Sequence, residues 1–169
     1  MFKKLFVAAF VAIATLTSYA QTAVKFGTVD LQAVMNDMPE TAVLEKELST
    51  KTTAFQTEAQ KMESEMQSKY QSYIEQRDSL DDVTRQMREE ELTTLQPRAQ
   101  QYQQASYTQI TQYREQQRAM IQEKLFKAVK AVGDREKYVA IFPINEATYF
   151  SPTETTDVTS KVKSELGIK

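Results

Sequence analysis

The 169-residue chain holds 21 basic and 23 acidic residues and has neither cysteine nor histidine. That composition excludes a disulfide framework, the usual zinc, iron and copper ligand sets, and every histidine-dependent catalytic triad. The three glycines, Gly27, Gly133 and Gly167, stand alone, so no glycine-rich loop cradles a phosphate, and the interspersed charges make a poor binder of polyanions.

At the N-terminus Lys3 and Lys4 precede an apolar stretch from Leu5 to Leu16 and then Ser18-Tyr19-Ala20 before Gln21. This is the pattern of an export signal, removed after Ala20. The apolar run falls short of the ~20 residues that span a bilayer, so no stable membrane insertion of the mature chain is expected. No cysteine is present to take a lipid anchor. Losing Lys3 and Lys4 leaves 19 basic residues against 23 acidic ones, a net charge of -4.

Val24-Lys25-Phe26-Gly27-Thr28-Val29 reads as a strand, and Asp30 as the cap of a short helix through Met35. From Pro39 to Val132, a span of 94 residues, there is no glycine and, after Pro39 itself, only Pro97. Apolar residues recur there at helical spacing. At 100° per residue Leu44, Leu48, Phe55, Ala59, Met62, Met66, Tyr70 and Tyr73 fall within about 80° of one another. So narrow a stripe is a seam for one partner helix. The steps Leu44, Phe55, Met66 and Leu48, Ala59, Tyr70 are each 11 residues, which predicts a nearly straight arm. The matching stripe is Leu95, Ala99, Tyr102, Tyr113 and Met120, with Ser106 and Gln109 as polar steps. Residues 39–132 are therefore expected to form an antiparallel helical hairpin. Its turn falls near 78–82, where Asp81 or Asp82 caps the returning helix.

Pro97 removes one helical hydrogen bond and predicts a kink near Leu95 to Ala99, either a static bend or a hinge. The glutamines between Pro97 and Glu123 make a neutral, solvated face. Ile74 and Tyr107 lie off the seam and are the candidate exposed contact residues.

Gly133 suits a helix C-terminus. Tyr138-Val139-Ala140-Ile141-Phe142 reads as a second strand stopped by Pro143, and Ala147-Thr148-Tyr149-Phe150 as a third. Asp157-Val158-Thr159 then opens an amphipathic helix with Val158, Val162 and Leu166 on one face. Residues 21–38 and 133–169 thus make a small α+β body on a predominantly helical chain. So small a sheet exposes its edges, and oligomerisation through Phe26, Val29, Val139, Ile141, Phe142, Tyr149, Asp157 and Thr159 is expected to close it. The alternative is a monomer whose head packs on the hairpin root through Leu125, Val129 and Val132.

The order of these elements resembles the Skp/OmpH family of periplasmic chaperones over the whole mature chain. The resemblance rests on Phe26-Gly27-Thr28-Val29-Asp30, Pro39, Tyr149 and Asp157-Val158-Thr159. It implies a homotrimer in which a shared β-body carries three helical tentacles around a cavity that holds unfolded outer-membrane proteins without ATP or any cofactor. The expected partners are therefore unfolded outer-membrane proteins and further copies of the chain, in the periplasm, with no nucleic acid. Well-studied members are strongly basic with positive tentacle tips, whereas this chain is acidic and its turn holds Asp78, Asp81 and Asp82, so no lipopolysaccharide site is carried over. A coiled-coil spacer or adaptor of the cell envelope, binding a folded partner at Arg77 to Arg88, is the competing reading. A carboxylate-based hydrolase would need paired acids in a cleft, and the acids here read as solvated helix faces.

Overall fold

The computed structural model describes residues 24–168 apart from Ala147, so the expected export signal lies outside the described residues. The chain is predominantly helical, an α+β arrangement with a small sheet at one end of a long hairpin. Strand β1 (Lys25–Val29) leads into helix α1 (Leu31–Asp37), then α2 (Pro39–Gln76), a 3-10 turn (Arg77–Ser79) and α3 (Asp82–Glu136). Strand β2 (Tyr138–Pro143), strand β3 (Thr155–Asp157) and helix α4 (Thr159–Glu165) complete it.

Each boundary has a local cause. Asp30 accepts from the Ala33 amide at 2.9 Å and starts α1. Met38 is extended, as a residue before proline must be, and Pro39 opens α2 where a missing N–H costs nothing. At the far end Asp81 accepts from the Thr84 amide at 3.0 Å and from its hydroxyl at 2.7 Å, which caps α3. The two arms run 38 and 55 residues, roughly 57 and 82 Å at 1.5 Å per residue. The longer one overshoots the root of the hairpin and carries the body on its last turns.

The sheet is parallel throughout in the order β2-β1-β3. A register shift between Lys25 and Phe26 leaves Val139 bulged out and exposed. Gly27 sits where strands and helix converge: a Cβ there would lie 3.1 Å from Ile141 Cγ1 and 3.5 Å from the Thr156 carbonyl. Beyond the strands, Val158 donates to the Thr28 carbonyl at 2.8 Å and Asp30 to the Thr159 hydroxyl at 3.0 Å, tying α4 to the end of β1. One face of the sheet packs on α1, α4 and the end of α3 through Val29, Val34, Leu125, Val132, Val158 and Val162, all essentially inaccessible. The other face carries Phe26, Phe142 and Phe150, with ring centroids 6.3 Å apart in each successive pair.

Several sequence expectations are corrected. Gly133 does not end a helix; α3 runs on to Glu136 and closes at Lys137 in the left-handed conformation (φ 59°), whose amide bonds the Gly133 carbonyl. A Cβ at Gly133 would make ordinary van der Waals contact with Ile141 Cδ1, at 3.5 Å. The third strand is not at 147–150: Thr148–Phe150 are unpaired, and β1 is joined instead by Thr155–Asp157. Helix α4 begins at Thr159, within the expected opening Asp157-Val158-Thr159, with Asp157 accepting from the Thr159 amide at 2.8 Å. Apart from these corrections, α3 spans Pro97 as one continuous helix.

Leu125 is fully buried while the adjacent Phe126 points out. Leu125→Ala is expected to cost about 2–5 kcal/mol and Phe126→Ala under about 0.5. Urea unfolding of the two variants followed by circular dichroism measures the difference.

Candidate functional site

The arms meet along a single seam. On α2 the residues turned inward are Leu44 and Leu48, buried, then Phe55, Ala59, Met62, Met66 and Tyr73, half-buried. From α3 come Leu92, Leu95, Ala99, Tyr102, Ser106, Ile110, Tyr113 and Ile121. Phe55 and Tyr102 meet edge-on at 6.1 Å. Two stripe residues are corrected: Met120 and Tyr70 are more than half exposed. Near the root the α3 seam advances by fours, Tyr113, Gln117, Ile121, Leu125, so Met120 is turned about 100° away and Ile121 takes its place. The signal was the 11-residue row Ala99, Ile110, Ile121, Val132.

The two flanks of the seam differ in chemistry. Along one, side chains bridge the arms: Lys124 to Glu40, Lys69 to Glu91, and the Tyr113 hydroxyl to Glu47. Lys51 also lies 4.6 Å from the centre of the Tyr113 ring. The Lys124 hydrogen bond lowers the pKa of Glu40, and the Lys69 hydrogen bond lowers that of Glu91. Donation to Glu47 raises the pKa of the Tyr113 phenol.

Along the other flank the row Gln96, Tyr107, Arg118 and the row Glu45, Gln56, Gln67 step by 11 residues, about 20° of drift, and so hold one side. Tyr107 is 70% exposed and Ile74 42%. Ile74 stands one turn beyond Tyr70, at the lip of a groove of about 650 Å³ whose walls include Met66, Tyr70, Leu92 and Gln96. At the root, the same flank opens a concavity of about 500 Å³ bounded by Met35, Leu48, Ser49, Arg114 and Arg118. The bridged flank has its own root groove of about 550 Å³, lined by Val43, Tyr113, Met120 and Lys124, and the two root cavities share Leu44 and Ile121 as a dividing wall.

In the body, Val29 and Ile141 face the helices and are buried or half-buried, whereas Val139, Phe142 and Tyr149 are exposed. Asp157 and Thr159 join β3 to α4, and Phe26 lies on the aromatic face. The chain places Leu125, Val129 and Val132 where body meets root. Among the described residues no helix is long and apolar enough to cross a membrane, and no group of acidic residues is placed to hold a metal ion.

A long pair of helical arms on a small sheet, with grooves along the arms, defines a scaffold of the OmpH-like kind. The chain belongs to the outer membrane protein (OmpH-like) family, whose model matches residues 25–166. Its fold is similar to that of a protein from Caulobacter crescentus CB15 described as an OmpH-like outer membrane chaperone. The two superpose with a TM-score of 0.73 at 9% identity, over 88% of this chain and 87% of that one. At that identity the likeness speaks for the fold alone. Comparison with curated protein sequences returns no match.

The cross-arm ion pairs set a pH dependence. Glu40 and Glu91 titrate below their ordinary value of 4.5, so the stability they contribute is complete above that value and is lost as pH falls through the lowered one. The melting temperature of the arms, read by circular dichroism, is expected to fall below about pH 4.5, and less so in an E40Q/E91Q double variant. An identical pH profile in the variant would show that the pairs carry no linkage.

Proposed function

We propose that the protein is an ATP-independent holdase of the periplasm that binds unfolded outer-membrane proteins and keeps them from aggregating during transit. The observation that carries this reading is the division of the chain between a small body and two long arms. Their free flank offers shallow grooves and scattered exposed apolar groups, not one pocket. Such a surface makes many weak contacts with an extended chain and fixes none of them, which suits holding without an energy source. Membership of the OmpH-like family supports a chaperone role. No cofactor and no catalytic residue enter the reading.

The working unit is a homotrimer. Within one chain the outer edges of β2 and β3 are unpaired, Val139 and Phe142 of β2 are exposed, and so is Tyr149 in the segment between the two strands. A sheet of this size with apolar groups at its edges gains from pairing with further copies. Residues 21–38 and 133–169 form the shared body, residues 39–132 supply the tentacle, and Ile74 and Tyr107 are its first points of contact with client. Pro97 is the proposed hinge within each arm, and residues 1–20 are the export signal that delivers the chain.

Native mass spectra of the chain lacking residues 1–20, taken alone and after adding a urea-diluted outer-membrane barrel protein, test both parts. A trimer that takes up one unfolded client is expected, together with suppression of that client's light scattering. Scattering no lower than with an inert control protein would overturn the holdase, and a monomeric mass would overturn the assembly.

A further inference from the structure

The two flanks of the arm are not equivalent. The bridged flank spends Lys69, Lys124, Glu40 and Glu91 on pairs between the arms. The free flank keeps neutral hydrogen-bonding groups along most of its length, such as Thr52, Gln56, Gln67, Gln96 and Gln103, and two arginines at its root. Arg114 and Arg118 are four residues apart on α3, so their side chains lie over the same face. Neither makes an ion pair among the described residues, in a chain where most neighbouring lysines do. Both line the root concavity, whose wall is the apolar pair Leu44 and Leu48 and whose rim carries Asn36, Ser49 and Thr52.

Two neighbouring guanidiniums without an ion pair match carboxylates, each of which accepts a fork of two N–H groups. An apolar wall beside them takes the side chains that alternate with the acids in an extended segment, and the rim amide and hydroxyls suit its backbone. The acids on this flank are Glu45 within the concavity and, farther out, Glu63 and Glu89, the last accepting from the Tyr73 hydroxyl across the arms, so a negatively charged segment is favoured at the root and disfavoured toward the tip. Asp78, Asp81 and Asp82 reinforce that gradient.

We propose that the root concavity closed by Arg114 and Arg118 is a binding site for an extended acidic peptide segment, its carboxylates on the two guanidiniums and its apolar side chains against Leu44 and Leu48. The site deepens the holdase reading and rests on it for the source of the segment, an unfolded client. It also orients the arm. The flank with Arg118, Tyr107 and the Tyr70–Ile74 groove faces the client, and the ion-paired flank faces away from it.

The test uses the full chain without its export signal and a fluorescent peptide of alternating glutamate and valine, with a glutamine-for-glutamate peptide as control. Anisotropy should give a Kd roughly tenfold tighter for the acidic peptide than for its neutral counterpart. The R114Q/R118Q variant should erase that preference without changing the circular dichroism spectrum. K127Q/K130Q, which removes the same charge from a different face of α3, should keep it. Equal weakening by both double variants would mean general electrostatics and would overturn the site, as would no weakening by either. Scattering of an uncharged unfolded client separates the two readings. If the wild-type chain fails to protect it while R114Q/R118Q still abolishes acidic-peptide binding, the holdase falls and the site stands. If both chains protect it and bind the acidic peptide equally, the site falls and the holdase stands.

Discussion

Burial of Leu125 and Val132 between the hairpin root and the sheet is the contact on which everything else hangs. A parallel sheet of three short strands with two seven-residue helices cannot bury enough apolar surface to hold itself together. It acquires a core only because α3 runs past the end of α2 and inserts its last apolar turns beneath β2 and α4. The same residues that finish the body also fix the direction of the arm. Substitutions at Leu125 or Val132 therefore act on the position of the hairpin as well as on the stability of the head, since the two share one hydrophobic cluster.

Outward from that anchor the core thins quickly. Past Leu48 and Ile121 the only buried arm residue is Ser106, and the rest of the seam is half-covered. Two helices touching along one narrow stripe cannot exclude water from both sides of it, so the arms need help from their edges. Ion pairs and tyrosine–carboxylate bonds, most of them on one flank, supply it, each worth little alone because the groups are open to solvent. The opposite side carries a bridge near the tip, from the Tyr73 hydroxyl to Glu89, and is otherwise left to face outward. A chain that must both hold its own shape and present an adaptable surface gains from this division, because the two tasks use different side chains.

Most of the hairpin was legible because its signals are local and repeated. The long glycine-free run, the narrow stripe and the aspartates of the turn need no knowledge of what packs against them, and Asp81 caps α3 as its type and place suggest. Errors arose where a distant partner decides. Gly133 reads as a helix stop in isolation, but α3 runs on beside β2 and ends instead at Lys137, whose amide reaches the Gly133 carbonyl. Thr155–Asp157 is too short and polar to read as a strand, and only pairing with β1 makes it one. Tyr149 and Phe150 have strand-forming side chains, yet Phe150 is used for its ring against Phe142. Met120 was misassigned because a constant 100° step ignores the slow drift of the seam; the 11-residue row through Ile121 keeps the phase.

The charge of the arms follows the same logic of partners. Counted over the chain, acids outnumber bases, which argues against capture of negatively charged clients. Counted by contact, the balance is uneven: Lys69 and Lys124 are spent across the seam, and Lys127, Lys130 and Lys161 on carboxylates of the root and body, while Arg114 and Arg118 are spent on nothing within the described residues. What a ligand meets is the unspent charge, not the total. Bulk charge screens out within about 10 Å at ordinary salt, whereas two guanidiniums lining one concavity act at contact distance. An acidic protein is therefore able to hold an acidic segment where two unpaired cations line the same concave surface and acids crowd the far tip.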